Sequence, residues 1–359
     1  MKSLSAIEAV TPAIEQTKQQ LFQPFRFWHW AKLAFIVVLT WEFSGGGGGG
    51  NFNIPWAPEK RKEDFALFAV PDIKWERVME FLPWIILGVG ILLALILVFM
   101  FIASVFRFVL FDAVLHNRCE IRAGWKRWQE QGYSYFLWTV CLGFSVLFAI
   151  GILVGGPVLL VWSRGVFGAP KEHLALLILG GIGLFFVLMA LLVTGAVIAL
   201  IAKDFAIPVM ALENVGILDA WRRLFSLMSG QKLAYAGFVG MKVVLAIGSG
   251  ILFGIINLIA ILILMIPFAI AGIAIYVAGR VMGLEWNLLT ITITVLLGAV
   301  VFHILLGVMA MVSVPPMVFF QSYVNHFLGS RYPLLGEKVF PPPPAPPLPP
   351  LPPETAPAF

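Results

Sequence analysis

Apolar runs of about 20 residues or more recur along this chain, and nothing else in it restricts the fold so tightly. They cover residues 82–111, 135–162, 174–202, 233–266 and 288–314, and a shorter run covers 27–44. Each of the five crosses a hydrocarbon layer of about 30 Å at about 1.5 Å of rise per residue. The composition agrees, since 60% hydrophobic with 12% charged residues is far outside the range of soluble globular chains. Lys32 and Glu42 interrupt the shorter run near its ends, where a long side chain can reach the headgroups while its stem stays in lipid. The expectation is an all-α, polytopic transmembrane bundle of about six spans. A cytoplasmic amphipathic segment (1–26) precedes the membrane domain (27–335), and a Pro-rich disordered tail (336–359) follows it.

The first 26 residues are polar and Gln-rich, without an early apolar core or a small-residue cleavage site, so the first span is expected to be retained. With the amino terminus inside, twice as many of the 24 Lys and Arg fall on the inner side as on the outer, which places both termini in the cytoplasm. Trp28, Trp30 and Trp138 then sit at inner boundaries, and Trp41, Trp84, Trp162 and Trp286 at outer ones, where indole rings prefer to lie. The net charge of +5 reads as a cytoplasmic face toward anionic lipid, not as nucleic-acid binding. The nearly continuous apolar stretch 233–279 is too long for one crossing, and Pro267 should break it. A long tilted span with a short outer segment is preferred over a hairpin, because it keeps Arg331 and Lys338 inside.

Two charged interludes have helical amphipathicity. In "ENVGILDAWRRLFSLMSG", Asp219, Arg222 and Arg223 oppose Ile217, Trp221, Leu224 and Met228, with Asn214 placed to cap one end and Gly230 to stop the other. In "RCEIRAGWKRWQEQG", Trp125 and Trp128 oppose Arg122 and Lys126, and Arg127 completes "WKRW". Both are expected to lie in the cytoplasmic headgroup layer. Aligning "WKRW" with "WRRL" implies an internal repeat, with a fainter third copy at "IEQTKQQLFQPFRFW". Gly151 and Gly155 in "GILVG", and Gly250 and Gly254 in "GILFG", have the spacing of close helix packing.

The Gly45–Gly50 run has no phosphate-loop context and reads as a linker, and the tail's P-x-x-P spacing suits polyproline helix. No catalytic signature and no Cys pair at metal spacing occurs, so no catalytic, metal or cofactor site is expected. Cys119 and Cys141 would lie in cytoplasm and inner leaflet, which argues against a disulfide. The polar residues within spans, Lys242, Asn257 and His303, are the candidate for an intramembrane path, with Thr290, Thr292 and Thr294 nearer the outer face. Structural alternatives exist for all three: Lys242 can snorkel, and Asn257 and His303 can bond each other across helices.

The combination of "TKQQLFQPFRFWHWAKLAF", a Gly run, "FRFVLFDAVLHNRCEIRAGWKRWQEQGYSYFLW", "ALENVGILDAWRRLFSLMSG" and "VPPMVFFQSYVNHFLG" resembles an uncharacterised family of polytopic prokaryotic membrane proteins, a domain of unknown function. It is similar, more distantly, to the membrane domain attached to some bacterial glycerophosphodiester phosphodiesterases. They share a span ending P-x-x-A-x-E (Pro208 to Glu213) followed by A-W-R-R (Ala220 to Arg223). The resemblance covers residues 5–335 and implies a prokaryotic plasma-membrane location and a noncatalytic membrane module. Two functions follow. One is a scaffold or envelope-assembly factor binding membrane lipids or other proteins through its cytoplasmic helices. The other is a transporter or channel lined by Lys242, Asn257 and His303.

Overall fold

The computed structural model describes residues 3–40, 75–166, 173–283 and 287–340. Trp41, Trp286, the Gly run and the Pro tail from residue 341 onward lie outside the described residues. The described chain is all-helical: α1 (Val10–Phe22), α2 (Phe27–Thr40), α3 (Trp75–His116), α4 (Ile121–Ser163), α5 (Leu174–Ile201), a π-helical turn (Ala202–Ala206), α6 (Ile207–Glu213), α7 (Ile217–Ser229), α8 (Lys232–Val281), α9 (Leu288–Gly329) and α10 (Pro333–Val339). Five helical rods among them are long and apolar enough to cross a membrane, and α2 is a shorter apolar helix.

These rods are longer than a crossing requires. The 50 residues of α8 span about 75 Å and the 42 of α3 about 63 Å, against about 30 Å of hydrocarbon. Part of the surplus is used at one end. The buried core runs through 105–114 of α3, 128–135 of α4, 202–210 below α5, 217–224 of α7, 235–238 of α8 and 310–328 of α9, with the inner faces of α1 and α2. These segments meet at a common base, and the most apolar stretches of α3, α4, α5 and α8 bury none of their residues within the chain. The apolar lengths therefore stand as stalks whose surface suits lipid, while the base has a closed core of its own. Aromatic rings fill that core: Phe238 lies 4.5 Å from Phe327, 4.8 Å from Tyr323 and 4.9 Å from Phe205 between ring centroids.

Several expectations change here. Pro267 does not break α8, which continues through it; the missing N–H costs one bond of the helix ladder, a loss that long apolar helices tolerate. Close helix approach is not made at Gly151, Gly155, Gly250 or Gly254, where a Cβ would meet nothing within 4 Å. It is made at Gly132 and Gly124, whose added Cβ would lie 2.6 Å and 3.1 Å from side-chain atoms of Val105 and Val109. The packed base, not the stalk, is where α3 and α4 press together. The amino-terminal segment is part of this body too. Tyr323 donates to the Ala6 carbonyl (3.0 Å), and Trp30 Nε1–H to that of Met311 (3.0 Å). At the other end α10 packs on α9, with Gly329 against Val339, so the described helical body includes α10.

Candidate functional site in the charged base

The two amphipathic interludes are built differently. "RCEIRAGWKRWQEQG" is no separate helix, because α4 runs unbroken from Ile121 into the stalk. Its aromatic face is turned into the protein. Trp128 stacks on Phe108 at 6.0 Å, and Trp125 packs against Phe106 at 5.6 Å and Phe101 at 5.9 Å, all on α3. Arg122, Lys126 and Arg127 remain exposed, and Arg127 reaches Asp112 at 3.6 Å. A neighbouring helix has taken the place that the sequence pattern assigns to lipid.

By contrast, α7 is a free-standing helix with three faces. Ile217, Ala220 and Leu224 are buried in the base. Next to them on the helical wheel, Leu218 (68% exposed) and Phe225 (62%) point outward, flanking half-buried Trp221, whose ring lies 5.3 Å from Phe225 and 5.8 Å from Trp138 on α4. The third face carries Asp219, Arg222, Arg223 and Ser226. Asn214 does not cap α7; Gly216 occupies that position, and Asn214 ends α6 in the left-handed region (φ 56°), its Oδ1 accepting from Gln131 Nε2 of α4. Asn117, between α3 and α4, has the same backbone conformation (φ 52°). Gly230 follows the last residue of α7, as its position implies.

Against the polar face of α7 lies a cleft of about 630 Å³, closed on its far side by Tyr332 and Pro333. Glu213 is its fixed support. Tyr332 donates to Glu213 Oε1 at 2.7 Å, and Arg223 Nε lies 3.2 Å from Oε2. Burial, and then the bond to Glu213, raise the Tyr332 phenol above its ordinary range, so it stays a neutral donor. Arg222 Nη1 bonds Asp219 Oδ1 at 3.1 Å.

The three intramembrane candidates are not assembled into one site. Lys242 neither snorkels nor opens to a path; its ammonium sits 2.6 and 2.5 Å from the two oxygens of Asp204, each side chain 3% exposed. Asp204 belongs to the π-helical turn, where the Ile207 N–H bonds five residues back to the Ala202 carbonyl and Pro208 follows. This widened turn sets the carboxylate into the base, opposite α8. Asn257 is 15 residues further along α8, about 22 Å away. Its Oδ1 is enclosed without a hydrogen-bond partner, so the bond expected with His303 is not formed. His303 is exposed, with Nδ1 2.7 Å from its own helix's Ala299 carbonyl. The threonine hydroxyls are likewise engaged locally. Thr290 forms a reciprocal cap with Asn287, and Thr292 and Thr294 donate to the carbonyls four residues back.

Asp204, Ser226 and Tyr332 were not singled out by sequence, and Glu213 only as the end of a motif. Asp204 carries a visible signal, an acidic residue at the end of an apolar run four residues before a proline, and Lys242 stands out as a charge within a span, but that the two meet across 38 residues is visible in neither.

The chain belongs to DUF7544, a family of unknown function, whose profile matches residues 4–337. No curated protein and no solved structure matches it.

Proposed function

We propose that this member of a family of unknown function is a noncatalytic scaffold or envelope-assembly factor of a prokaryotic plasma membrane, with its base and both termini on the cytoplasmic side. The stalks anchor it, and the base engages anionic headgroups and partner proteins. One observation carries this reading: the chain's main packed core lies in the charged base, whereas the most apolar stretches of α3, α4, α5 and α8 bury none of their residues within the chain. In this reading α7 is the lipid-contacting element, with Leu218 and Phe225 in the acyl boundary and Arg222 among the headgroups. The left-handed asparagines at 117 and 214, each joining a descending stalk to the next amphipathic segment, support a repeated unit.

A transporter is the second reading, and the unpartnered Oδ1 of Asn257 favours it. Reconstituted protein separates the two. Photo-crosslinkers placed along α7 should capture lipid at Leu218 and Phe225 and a reproducible protein partner from the polar face in native membranes. A solute flux abolished by Asn257→Ala or His303→Ala, with folding intact, would overturn the scaffold reading.

A further inference from the structure

The cleft between α7 and Tyr332 has a donor set that lipid anchoring by Leu218 and Phe225 does not use. Arg222 and Ser226 are one turn apart on α7, and Arg223 and Ser226 three residues apart, so the three side chains converge on one side of the helix. Each guanidinium is held from behind by a carboxylate through a single nitrogen, Arg222 by Asp219 and Arg223 by Glu213. That leaves further N–H groups on both guanidiniums, which line the cleft, and paired forks of this kind suit the tetrahedral oxygens of a phosphate. The two oxygens of Glu213 are both engaged, by Tyr332 and Arg223. Asp219, which is 60% exposed, uses one oxygen on Arg222 and presents the other.

The formal charges lining the cleft, two arginines and two carboxylates, sum to zero. A phosphate alone would leave an unbalanced anion beside Asp219; a phosphodiester that carries its own ammonium group, one negative charge against one positive, would leave none. The volume of about 630 Å³ is ample for a group of that size. We infer that this cleft binds a zwitterionic phosphodiester of the phosphoethanolamine class, its phosphate on Arg222, Arg223 and Ser226 and its ammonium on Asp219. The inference rests on the base being a surface open to headgroups or solutes. The same chemistry is offered by a free ester and by a lipid headgroup.

The test uses the full chain in phosphatidylcholine nanodiscs, titrated calorimetrically with the diesters glycerophosphoethanolamine and glycerophosphocholine and with inorganic phosphate. A second arm counts phosphatidylethanolamine retained by native mass spectrometry when that lipid is supplied in the disc. Glycerophosphoethanolamine should bind more tightly than the other two if the source is soluble, and phosphatidylethanolamine should be retained selectively if it is lipid. Arg222→Gln should weaken either ligand about tenfold or more, the loss of one charge-assisted contact. Asp219→Asn should abolish the preference for the amine over inorganic phosphate while leaving phosphate binding in place. Both residues are exposed, and unchanged thermal unfolding of the variants verifies their fold. Neither ligand binding, or binding indifferent to Arg222→Gln and Asp219→Asn, overturns the inference and leaves the scaffold reading standing. A solute flux would sink the scaffold reading and leave this binding intact.

Discussion

The buried pair Asp204–Lys242 ties the foot of α5 to α8, and its removal gives a sharp test of how the base is held. The geometry permits a large attraction. At 2.6 Å and an effective dielectric of about 20, two unit charges attract by about 6 kcal/mol. With 3% exposure on both sides, desolvation opposes this by several kcal/mol per ion, so the net contribution of the intact pair is near zero. Deleting one partner removes the attraction and keeps the other ion's desolvation. Asp204→Val or Lys242→Met alone should therefore destabilise the base by about 3–5 kcal/mol. The double variant, which buries neither charge, should recover most of that loss, giving a coupling of about 3 kcal/mol or more. Thermal unfolding of the four proteins in one detergent, followed by loss of monodisperse protein, completes the cycle. Single variants within about 0.5 kcal/mol of wild type, or a double variant as unstable as the sum of the singles, would refute the argument.

Three further outcomes follow from other parts of the structure. Gly132→Ala would set a Cβ 2.6 Å from Val105 Cγ2 and 2.9 Å from its Cα, and should cost about 1–3 kcal/mol, whereas Gly250→Ala, with open space, should be neutral or stabilising by up to about 1 kcal/mol; equal midpoints in a thermal scan would contradict the placement of the packed base. Burial pushes the Cys119 thiol from 9.0 up to about 11, despite Lys32 nearby, so in a Cys141→Ser background its thiolate fraction at pH 8 should be about one-hundredth of an ordinary thiol's. Iodoacetamide labelling should accordingly be slow and should accelerate on denaturation; rapid labelling of the folded chain would count against the burial. A cysteine at position 222 or 126 in intact cells should resist an impermeant maleimide until the membrane is opened, and labelling from outside would reverse the proposed orientation.

Much of the architecture is legible in one dimension. The apolar runs at 82–111, 135–162, 174–202, 233–266 and 288–314 each fall within a helical rod, because lipid-length hydrophobicity is a local property that needs no partner to be read. The interlude 213–230 is likewise a short amphipathic helix bearing Asp219, Arg222 and Arg223 on its polar side. The candidate site is less legible. "WKRW" and "WRRL" have nearly the same pattern, yet Trp125 and Trp128 pack on α3 while Leu218 and Phe225 are left open. An apolar stripe states that something must cover it, not what does. The Gly pairs at 151 and 250 have the right spacing for close packing, but no neighbouring helix of the chain comes against them.

Sequence by itself determined the helical class, the number of long apolar elements and the positions of the charged interludes, since these depend on hydrophobicity and period along a single chain. Tertiary structure alone decided that α4 and α8 join a common packed base, that Lys242 meets Asp204 across 38 residues, and that Glu213 and Tyr332 line a cleft with Arg222 and Arg223. Such pairings depend on how distant segments are brought side by side, and the helical repeat of one segment contains no information about the partner it will meet.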